Sequence, residues 1–513
     1  MRRSLCGGRR HLGCLAFAAI TLWSSATGSA SSDSGLSRAG AELVPRLPNV
    51  IVIVADDLGW ADLAVQKVEN DLKTPHLDSL AASGVRCTAG YITSPQCSPS
   101  RAGLITGRHQ QHFGIDSIPD VPLPLEALTL AERLRPVGYR TGFVGKWHLE
   151  PNATCTEWFQ RELPEHAHAP HGKRRIPLPQ ILRYGPAAQG FDEFFWGELK
   201  HYRANFALDG RDLKPEGELI SMPEAFRIDV QTGAALAFIE RNHAKPFYLH
   251  LAYYGPHTPL EAPAKYLDRF PGKMSERRRY ALAMIAAMDD GVGELIQKLK
   301  QHGLEKDTLV IFTSDNGAPL KIHKVDSPIN LDPGGWDGSL NTPWLGEKGM
   351  LSEGGIRVPM IFSWPGNLPA GKVYSHPVSS LDFAATANAI AALPVASELD
   401  GVNLLPFLTG VDASLPHESL CWRFWNQSAI REGRWKYLCV GGSEYLFDLE
   451  SEFHESRNLI DEDPARAAAL RAKLAKWAAQ FEPPGIPTTP VNEQEAAWFR
   501  HYQSVQQSSR SKP

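Results

Sequence analysis

The chain lacks several features that mark specialised classes of protein. Only seven of its 513 residues are cysteine and it contains no internal repeat, which excludes a disulfide-dense scaffold and a solenoid. The formal net charge is −4, so no basic surplus exists to displace counterions from nucleic acid. No apolar run reaches the roughly 20 residues of a confident membrane span. What remains, 43% hydrophobic and 21% charged residues, is the composition of a soluble globular protein.

The N-terminal segment has the pattern of an export signal. Four arginines within the first ten residues precede an apolar stretch at 12–23, and Gly28-Ser29-Ala30 offers a small-x-small cleavage site. We expect a secretory signal peptide over residues 1–30 and a linker over 31–47, the alternative being that the apolar stretch is retained as an anchor. An exported protein would be periplasmic or secreted, or lysosomal in an animal host.

Beyond residue 47 the pattern is that of an α/β protein with a smaller second part. Short β-branched apolar runs alternate with helical periodicity, as over residues 74–82 and 275–301, which predicts a large, mostly parallel sheet sandwiched by helices across residues 48–400. From about residue 415, short strand patterns separated by turn residues precede a helical pattern over 464–480. We therefore predict a C-terminal antiparallel sheet plus helix over residues 415–483, followed by a tail over 484–513.

Four of the apolar runs lead into polar residues at their carboxyl ends. In open α/β sheets ligands bind beyond these ends, so residues far apart in sequence are expected to meet in one crevice. The runs are Asn49–Ala55 before Asp56-Asp57, Thr141–Gly145 before Lys146 and His148, Phe247–Ala252 before His257, and Leu309–Ser314 before Asp315-Asn316.

The acidic residues in this set predict a cation site. Adjacent carboxylates such as Asp56 and Asp57 repel each other, and a shared cation keeps both ionised. Asp315 and Asn316 add oxygen ligands after a different strand. An all-oxygen set suits Ca²⁺, with Mg²⁺ as the second choice, and does not suit zinc. The alternative for each pair alone is a helix cap or a turn.

A cysteine stands where a helix is expected to begin, in Cys97-Ser98-Pro99-Ser100-Arg101. Pro99 suits the first turn, and Arg101 lies one turn beyond Cys97, so the sulfur would face backbone N–H groups and a guanidinium. Cys97 is therefore the candidate nucleophile in an electropositive setting.

Five segments together resemble the sulfatase family of the alkaline-phosphatase-like superfamily, in particular arylsulfatases and N-acetylgalactosamine-6-sulfatases. The Cys97–Arg101 pattern resembles the family's C-x-P-x-R signature, and Gly138–Leu149 resembles its second signature, with Glu150 where glycine is common. The other matches are Asp56-Asp57, Tyr254–Pro259, and Gly346–Met350 together with Glu353–Pro359. The matches occur in the family's order and span most of the chain.

The resemblance implies a sulfuric ester hydrolase acting on a sulfated carbohydrate or an aryl sulfate. Cys97 would be oxidised to formylglycine by the formylglycine-generating enzyme, and the hydrated aldehyde would attack sulfur and become transiently sulfated. The implied roles are as follows: Asp56, Asp57, Cys97, Asp315 and Asn316 hold the cation, Arg101 and Lys146 stabilise the diol, His257 and Lys348 bind sulfate and protonate the leaving alcohol, and His148 takes the proton that releases sulfate.

Two other functions remain open from the sequence. A phosphodiesterase or phosphonate monoester hydrolase of the same superfamily can use the same nucleophile. An inactive glycan-binding protein would be indicated if Cys97 remained a thiol, although the complete catalytic set argues against it. The sequence predicts no oligomeric state.

Two irregular segments are expected to shape the pocket. Residues 318–345 contain Trp336 and Trp344, which could stack on sugar rings or pack in the core. Residues 150–189 are expected to form a mobile loop whose basic run, Lys173-Arg174-Arg175, could attract polyanionic glycans. A metal site from His166, His168 and His171 in the same loop is the alternative.

Overall fold

Strand β1 (Asn49–Asp56) shows why the sheet forms where it does. Its apolar, β-branched residues are buried along the whole strand, as in a sheet covered on both faces. Ile51, Ile53 and Ala55 point into one core and Val50, Val52 and Val54 into the other.

The structure, a computed structural model, describes residues 46–117, 121–170, 173–331, 335–452 and 454–510. The expected signal peptide and most of the expected linker lie outside these residues.

The remaining strands are β2 (Val85–Cys87), β3 (Gly90–Tyr91), β4 (Arg140–Gly145), β5 (Glu193–Glu198), β6 (His201–Ala204), β7 (Glu218–Ser221), β8 (Phe247–Pro256), β9 (Thr308–Ser314), β10 (Met360–Ser363), β11 (Lys372–Tyr374), β12 (Val378–Ser379), β13 (Leu420–Phe424), β14 (Gln427–Glu432), β15 (Trp435–Val440) and β16 (Ser443–Asp448).

The helices are α1 (Pro75–Ala82), α2 (Cys97–Thr106), α3 (Leu130–Leu134), α4 (Thr156–Glu162), α5 (Pro164–Ala167), α6 (Leu178–Arg183), α7 (Arg227–Asn242), α8 (Ala264–Leu267), α9 (Glu276–Gln301), α10 (Glu353–Ile356), α11 (Asp382–Ile390), α12 (Leu405–Thr409), α13 (Pro464–Ala478) and α14 (Glu493–Arg510).

The centre of the fold is a ten-stranded mixed sheet with the strand order β11-β2-β10-β9-β1-β8-β4-β5-β6-β7. The central strands β9, β1, β8 and β4 are parallel neighbours, so their carboxyl ends share one edge. Helices α1, α7 and α9 cover one face of the sheet, and α2, α3 and α11 cover the other. The predicted helix-sandwiched, mostly parallel sheet is confirmed.

The C-terminal sheet is also confirmed. Strands β13 to β16 form an antiparallel meander in chain order. One face packs on α13 through Leu470 and Leu474, and the other buries Trp422 and Phe424 against Tyr91. Short strands β3 and β12 pair separately.

Two segments differ from the sequence-based expectation. The expected mobile loop at 150–189 contains α4, α5 and α6 around a small core that includes Trp158, Phe159 and Tyr184. Arg174 is buried there and donates to the carbonyl oxygens of Ala153, Ala167 and Ala169. Of the expected basic run, only Lys173 and Arg175 are exposed.

The second difference lies at the C-terminus. The expected tail includes the helix α14, in which Trp498 and Tyr502 are fully buried. These residues are four apart and share one helix face, so this face belongs to the packed core.

Among the described cysteines, Cys87, Cys97, Cys421 and Cys439 are free thiols. Among the described residues, no helix combines the length and apolar character needed to cross a bilayer.

Candidate active site

The four central strand ends bring the acidic residues of the site together. Asp56 ends β1, and Asp57 follows it in a left-handed backbone conformation, with φ of 64°. Ala55 lies opposite Ser314 across the β1–β9 pair, which sets Asp315 and Asn316 beside Asp57. The Asp57 backbone N–H donates to Asp315 Oδ1 at 3.2 Å, and Asn316 Nδ2 donates to Asp57 Oδ1 at 2.5 Å.

Cys97 is the first residue of α2, as the sequence predicts, and is only 1% exposed. Its Sγ lies 3.6 Å from Asp56 Oδ1 and 3.2 Å from Lys348 Nζ. Arg101 does not donate to the sulfur. Its guanidinium donates to Asp315 Oδ2 at 2.9 and 2.7 Å and lies 3.5 Å from Asp56 Oδ1.

Burial dominates the ionisation of the thiol. Desolvation raises the pKa of Cys97 although Lys146 and Lys348 oppose the rise, and Asp315 and Asp56 add to it. The sequence-based picture of an electropositive cysteine is therefore incomplete, because it leaves out the cost of burial and the two carboxylates. An unmodified Cys97 would be a neutral thiol and a poor nucleophile.

Two lysines neutralise the aspartate pair. Lys146, which follows β4, donates to Asp56 Oδ2 at 2.6 Å, and Lys348 donates to both oxygens of Asp57 at 2.7 and 2.9 Å. Burial opposes ionisation of both carboxyls, but these cations outweigh it. The pKa of Asp56 falls well below its usual value and the pKa of Asp57 is also lowered.

Asp315 differs from its neighbours. Burial raises its pKa to about 6, because Arg101 only partly offsets the desolvation and Asp56 and Asp57 repel its charge. An additional cation would remove this penalty. Asn316 offers such a cation a ligand oxygen, because its Oδ1 is buried and accepts no hydrogen bond within the described part of the chain. The oxygen set of Asp56, Asp57, Asp315 and Asn316 therefore fits a hard divalent cation.

The two histidines lie on the same edge of the sheet. His257 Nε2 is 3.7 Å from Asp57 Oδ2, and its Nδ1 lies 2.6 Å from the carbonyl oxygen of Thr258, so Nδ1 carries the proton. Burial lowers the pKa of His257 to about 4. His148 has a φ of 59°, and its buried Nδ1 makes no hydrogen bond to any described residue. Burial together with Lys146 lowers the pKa of His148 far below the usual value.

A family model described as sulfatase matches residues 48–392. The chain belongs to the sulfatase family. It is therefore a sulfuric ester hydrolase, as the resemblance implies. A second model, described as the C-terminal part of N-sulphoglucosamine sulphohydrolase, matches residues 343–480 of this sulfatase.

Individual relatives agree with this assignment. This sulfatase is 32% identical to N-acetylgalactosamine-6-sulfatase of Canis lupus familiaris, with 74% of the chain and 69% of the relative covered. It is 32% identical to human arylsulfatase H, with 73% of the chain and 74% of the relative covered. The crystal structure of Ps i-CgsB in complex with k-i-k-neocarrahexaose has a TM-score of 0.68 at 28% identity and covers 91% of this chain and 100% of that one.

The structure adds site residues that sequence reasoning missed. Asp337 is buried beside Asp57, and burial raises its pKa to about 7 although Lys324, 3.4 Å away, opposes the rise. Tyr254 presents its ring to the Lys146 ammonium at 4.8 Å and to the Arg227 guanidinium at the same distance. Asp337 lies in an irregular segment with no local signal, whereas Tyr254, to which no role was assigned, is the first residue of the matched segment Tyr254–Pro259.

The two tryptophans of the segment 318–345 contact other side chains. Trp336 is 5% exposed and has Lys321 over its ring at 4.4 Å. Trp344 packs on the Arg357 guanidinium at 3.8 Å and against Trp60. Trp336 is therefore buried, whereas Trp344 is only partly buried. Among the described groups of possible metal ligands, none includes His166 or His168, and His171 lies outside the described residues.

Proposed function

We propose that this sulfatase removes sulfate from a sulfated carbohydrate, and that Cys97 carries formylglycine in the active protein. The observation that carries the proposal is the convergence of Cys97, Lys348 and the Asp56-Asp57 pair within hydrogen-bonding distance of one another at the carboxyl edge of the sheet. The relatives support the substrate class, since one is named for N-acetylgalactosamine-6-sulfate chemistry and another was solved with an oligosaccharide.

A divalent cation is part of the proposal. Asp56, Asp57, Asp315, Asn316 and the modified residue 97 would hold it, and Ca²⁺ suits these oxygens better than Mg²⁺, which demands a stricter octahedron. When bound, the cation would neutralise charge on the sulfuryl oxygens of the substrate.

In the proposed reaction, one hydroxyl of the hydrated aldehyde at position 97 attacks sulfur. The attacking oxygen gives its proton to a carboxylate of the site, such as Asp56 beside residue 97, and forms a bond to sulfur. The ester oxygen leaves sulfur, and the departing alkoxide takes a proton. The second hydroxyl then loses its proton, the sulfate leaves carbon, and the aldehyde returns to be hydrated by water. Arg101 and Lys146 would stabilise the diol.

The protonation states of Lys348, His257 and His148 support a different role for each residue. Lys348 stays charged, because Asp57 raises its pKa against the effect of burial, so it suits contact with the sulfate anion and, together with His257, with the leaving oxygen. His257 is neutral in the free site, and an anionic substrate beside Nε2 would favour the protonated form that serves the leaving alcohol. His148 is neutral and suits proton removal from the second hydroxyl.

We further propose that the protein is exported, on the basis of the N-terminal pattern at residues 1–30. We also propose that residues 48–400 act as the catalytic domain, supported by the family model at 48–392, and that 415–483 act as an attached subdomain.

Two measurements test the function. Peptide mass spectrometry of the active protein should show an aldehyde in place of CH₂SH at position 97. Desulfation across defined sulfated saccharides should exceed hydrolysis of the matched phosphate esters, and Cys97→Ala should lose both activities. A fully active preparation that retains only the intact thiol, or a preference for phosphate esters, would reject the proposal.

A further inference from the structure

The helix α14 lies beyond the residues that either family model matches, yet it reaches the segment that carries Lys348. Lys348 is flanked by Glu347 and Gly349, and Trp498 of α14 contacts both neighbours. The indole Nε1 donates to Glu347 Oε1 at 2.8 Å. A Cβ at Gly349 would lie 2.1 Å from the Trp498 ring, so the ring packs directly on that backbone.

Glu347 is a fully buried carboxylate whose partners all come from segments outside its own turn. It accepts from the Leu320 backbone N–H at 2.6 Å, from His323 Nδ1 and from Trp498. The Gln494 side chain, one helical turn before Trp498, donates to His323 Nε2 at 3.0 Å. Because an unpaired buried carboxylate is costly, these donors fix the position of Glu347.

The rest of the segment is held by backbone hydrogen bonds. Lys348 N–H donates to the Ala318 oxygen at 3.0 Å, and Gly349 N–H donates to the Pro95 oxygen at 2.9 Å. Further along, the Ser352 N–H donates to the hydroxyl of Tyr502, which lies one turn after Trp498 on α14. The helix therefore contacts the segment on both sides of Lys348.

We infer that Trp498 is a positioning residue for Lys348, acting through Glu347 and Gly349. The ammonium of Lys348 contacts Asp57 and the Cys97 sulfur, so a displacement of its backbone moves a charge at the reacting centre. A misplacement of about 1 Å at such a site costs on the order of 100-fold in rate. The inference rests on the proposed role of Lys348 for its effect on turnover, but not for its effect on the geometry of Lys348.

The test compares Trp498→Phe with Trp422→Phe. The first change keeps a ring against Gly349 and removes the donor to Glu347. Trp422 is a matched control, because it is buried in the same core cluster and donates its own Nε1 to a backbone oxygen, that of Ile92, at 2.7 Å. Gln494→Ala, at the partly buried end of the network, serves as a milder second variant.

For aryl sulfates with leaving groups of increasing pKa, Trp498→Phe should lower kcat by about 10-fold or more and change its dependence on leaving-group pKa. Trp422→Phe should leave that dependence unchanged. In a Lys348→Ala background the Trp498 effect should disappear, because residues that act through one another are not additive. Equal losses on all substrates, or full additivity with Lys348→Ala, would overturn the inference.

A second readout does not depend on activity. Acetylation of Lys348 by an amine-reactive ester, followed by peptide mass spectrometry, should be several-fold faster in Trp498→Phe than in the wild type or in Trp422→Phe. Unchanged labelling in Trp498→Phe would overturn the inference even if the protein proved not to hydrolyse sulfate esters. Faster labelling without sulfatase activity would instead uphold the positioning role and reject the proposed function.

Discussion

Asn316 uses only one end of its amide for hydrogen bonding within the described part of the chain. The nitrogen donates to Asp57 and to the Gly317 oxygen, whereas the buried oxygen accepts nothing. An orphaned buried acceptor costs about 1 to 3 kcal/mol, and a cation would remove this cost. The side chain therefore gives the most direct indication of a metal ligand at the site.

We expect Asn316→Ala to weaken Ca²⁺ binding by at least 10-fold, because it removes one ligand oxygen and the contact that orients Asp57. Asn316→Asp, which restores an oxygen, should recover most of the affinity. Calorimetric titration of Ca²⁺ into each variant, after its metal has been removed with a chelator, measures both affinities. If the alanine variant bound Ca²⁺ as tightly as the wild type, Asn316 would not be a ligand.

The rates of the His257→Ala and His148→Ala variants should depend differently on the leaving group of the substrate. Only the first step expels an alkoxide, so His257→Ala should slow unactivated sugar sulfates by about 100- to 10,000-fold and aryl sulfates of acidic phenols far less. His148→Ala should slow both substrates and let the sulfated protein accumulate.

Steady-state rates on two substrates of differing leaving-group pKa, with intact-mass detection of the adduct, check both variants. His243→Ala, on the surface at the end of α7, is the control. Equal losses for His257→Ala on both substrates would refute its role as the acid.

At the scale of elements, the turn after β9 and the short helix α10 touch through backbone alone. The Gly317 N–H donates to the Gly355 oxygen at 3.0 Å, and a Cβ on Gly317 would lie 1.8 Å from the Gly354 oxygen. This contact fixes Asp315 and Asn316 relative to the Lys348 segment and explains why the sequence has glycine at these positions.

Gly355→Ala should therefore abolish most activity, because its Cβ would lie 1.9 Å from the Met350 oxygen and force the segment away. Gly233→Ala, in the middle of α7 with only one side-chain atom 3.9 Å from its Cβ, should instead stabilise the protein by about 0.5 to 1 kcal/mol. Chemical denaturation and turnover of the two variants provide the comparison. An active Gly355→Ala protein would show that the contact is not required.

Asp382, the first residue of α11, forms a pH-dependent pair with His417, which lies just before β13. His417 Nε2 lies 2.9 Å from both oxygens of Asp382, and although burial opposes protonation, Asp382 raises the pKa of His417 above 6.5. Because the folded state binds this proton more tightly than the unfolded state, its contribution to stability is complete below about pH 6.5 and is lost as the pH rises through the folded pKa.

His417→Gln should consequently lower the free energy of unfolding by about 1.5 to 3 kcal/mol at pH 5.5, and by less at pH 9. Urea denaturation of both proteins at the two pH values measures the difference. A penalty that grew with pH would contradict the assigned charge state.

The elements that the sequence predicts well are those whose local pattern agrees with their final environment. Strands β1, β4, β8 and β9 read as buried because both faces are covered, and α9 has clear helical periodicity. The helix α14 was missed because its stretch is polar apart from a few residues, and Trp498 is buried only through long-range contacts. Asp337 was missed because its burial beside Asp57 also depends on long-range contacts.

At the scale of the whole molecule, a buried charge network joins the four-stranded C-terminal sheet to the short helix α10. Lys436 of β15 is fully buried and donates to Glu353 Oε1 at 2.9 Å, with Glu455 Oε1 also at 2.9 Å. Burial opposes ionisation of Glu353, but Lys436, Arg357 and Arg431 lower its pKa to about 2. Glu353 directly precedes Gly354 and Gly355, which contact Gly317 in the turn after β9, so the network couples the small sheet to the site.

Lys436→Met should cost about 3 to 5 kcal/mol, because it removes the cation beside buried Glu455 and one of the cations around buried Glu353. Lys473→Met, at an exposed pair with Glu418, should cost less than about 1 kcal/mol. Chemical denaturation of the two variants measures the contrast. Similar small losses would show that the buried network adds little.

The burial of Cys97 also has a consequence for the order of events during biosynthesis. A thiol that is 1% exposed beneath Lys348 is out of reach of another enzyme's active site once the chain has folded. The site closes only when residues 259 positions apart, Asp57 and Asn316, meet, and contacts of such separation form late. The topology thus keeps the cysteine accessible during synthesis, and the proposed conversion to formylglycine would have to precede completion of the fold.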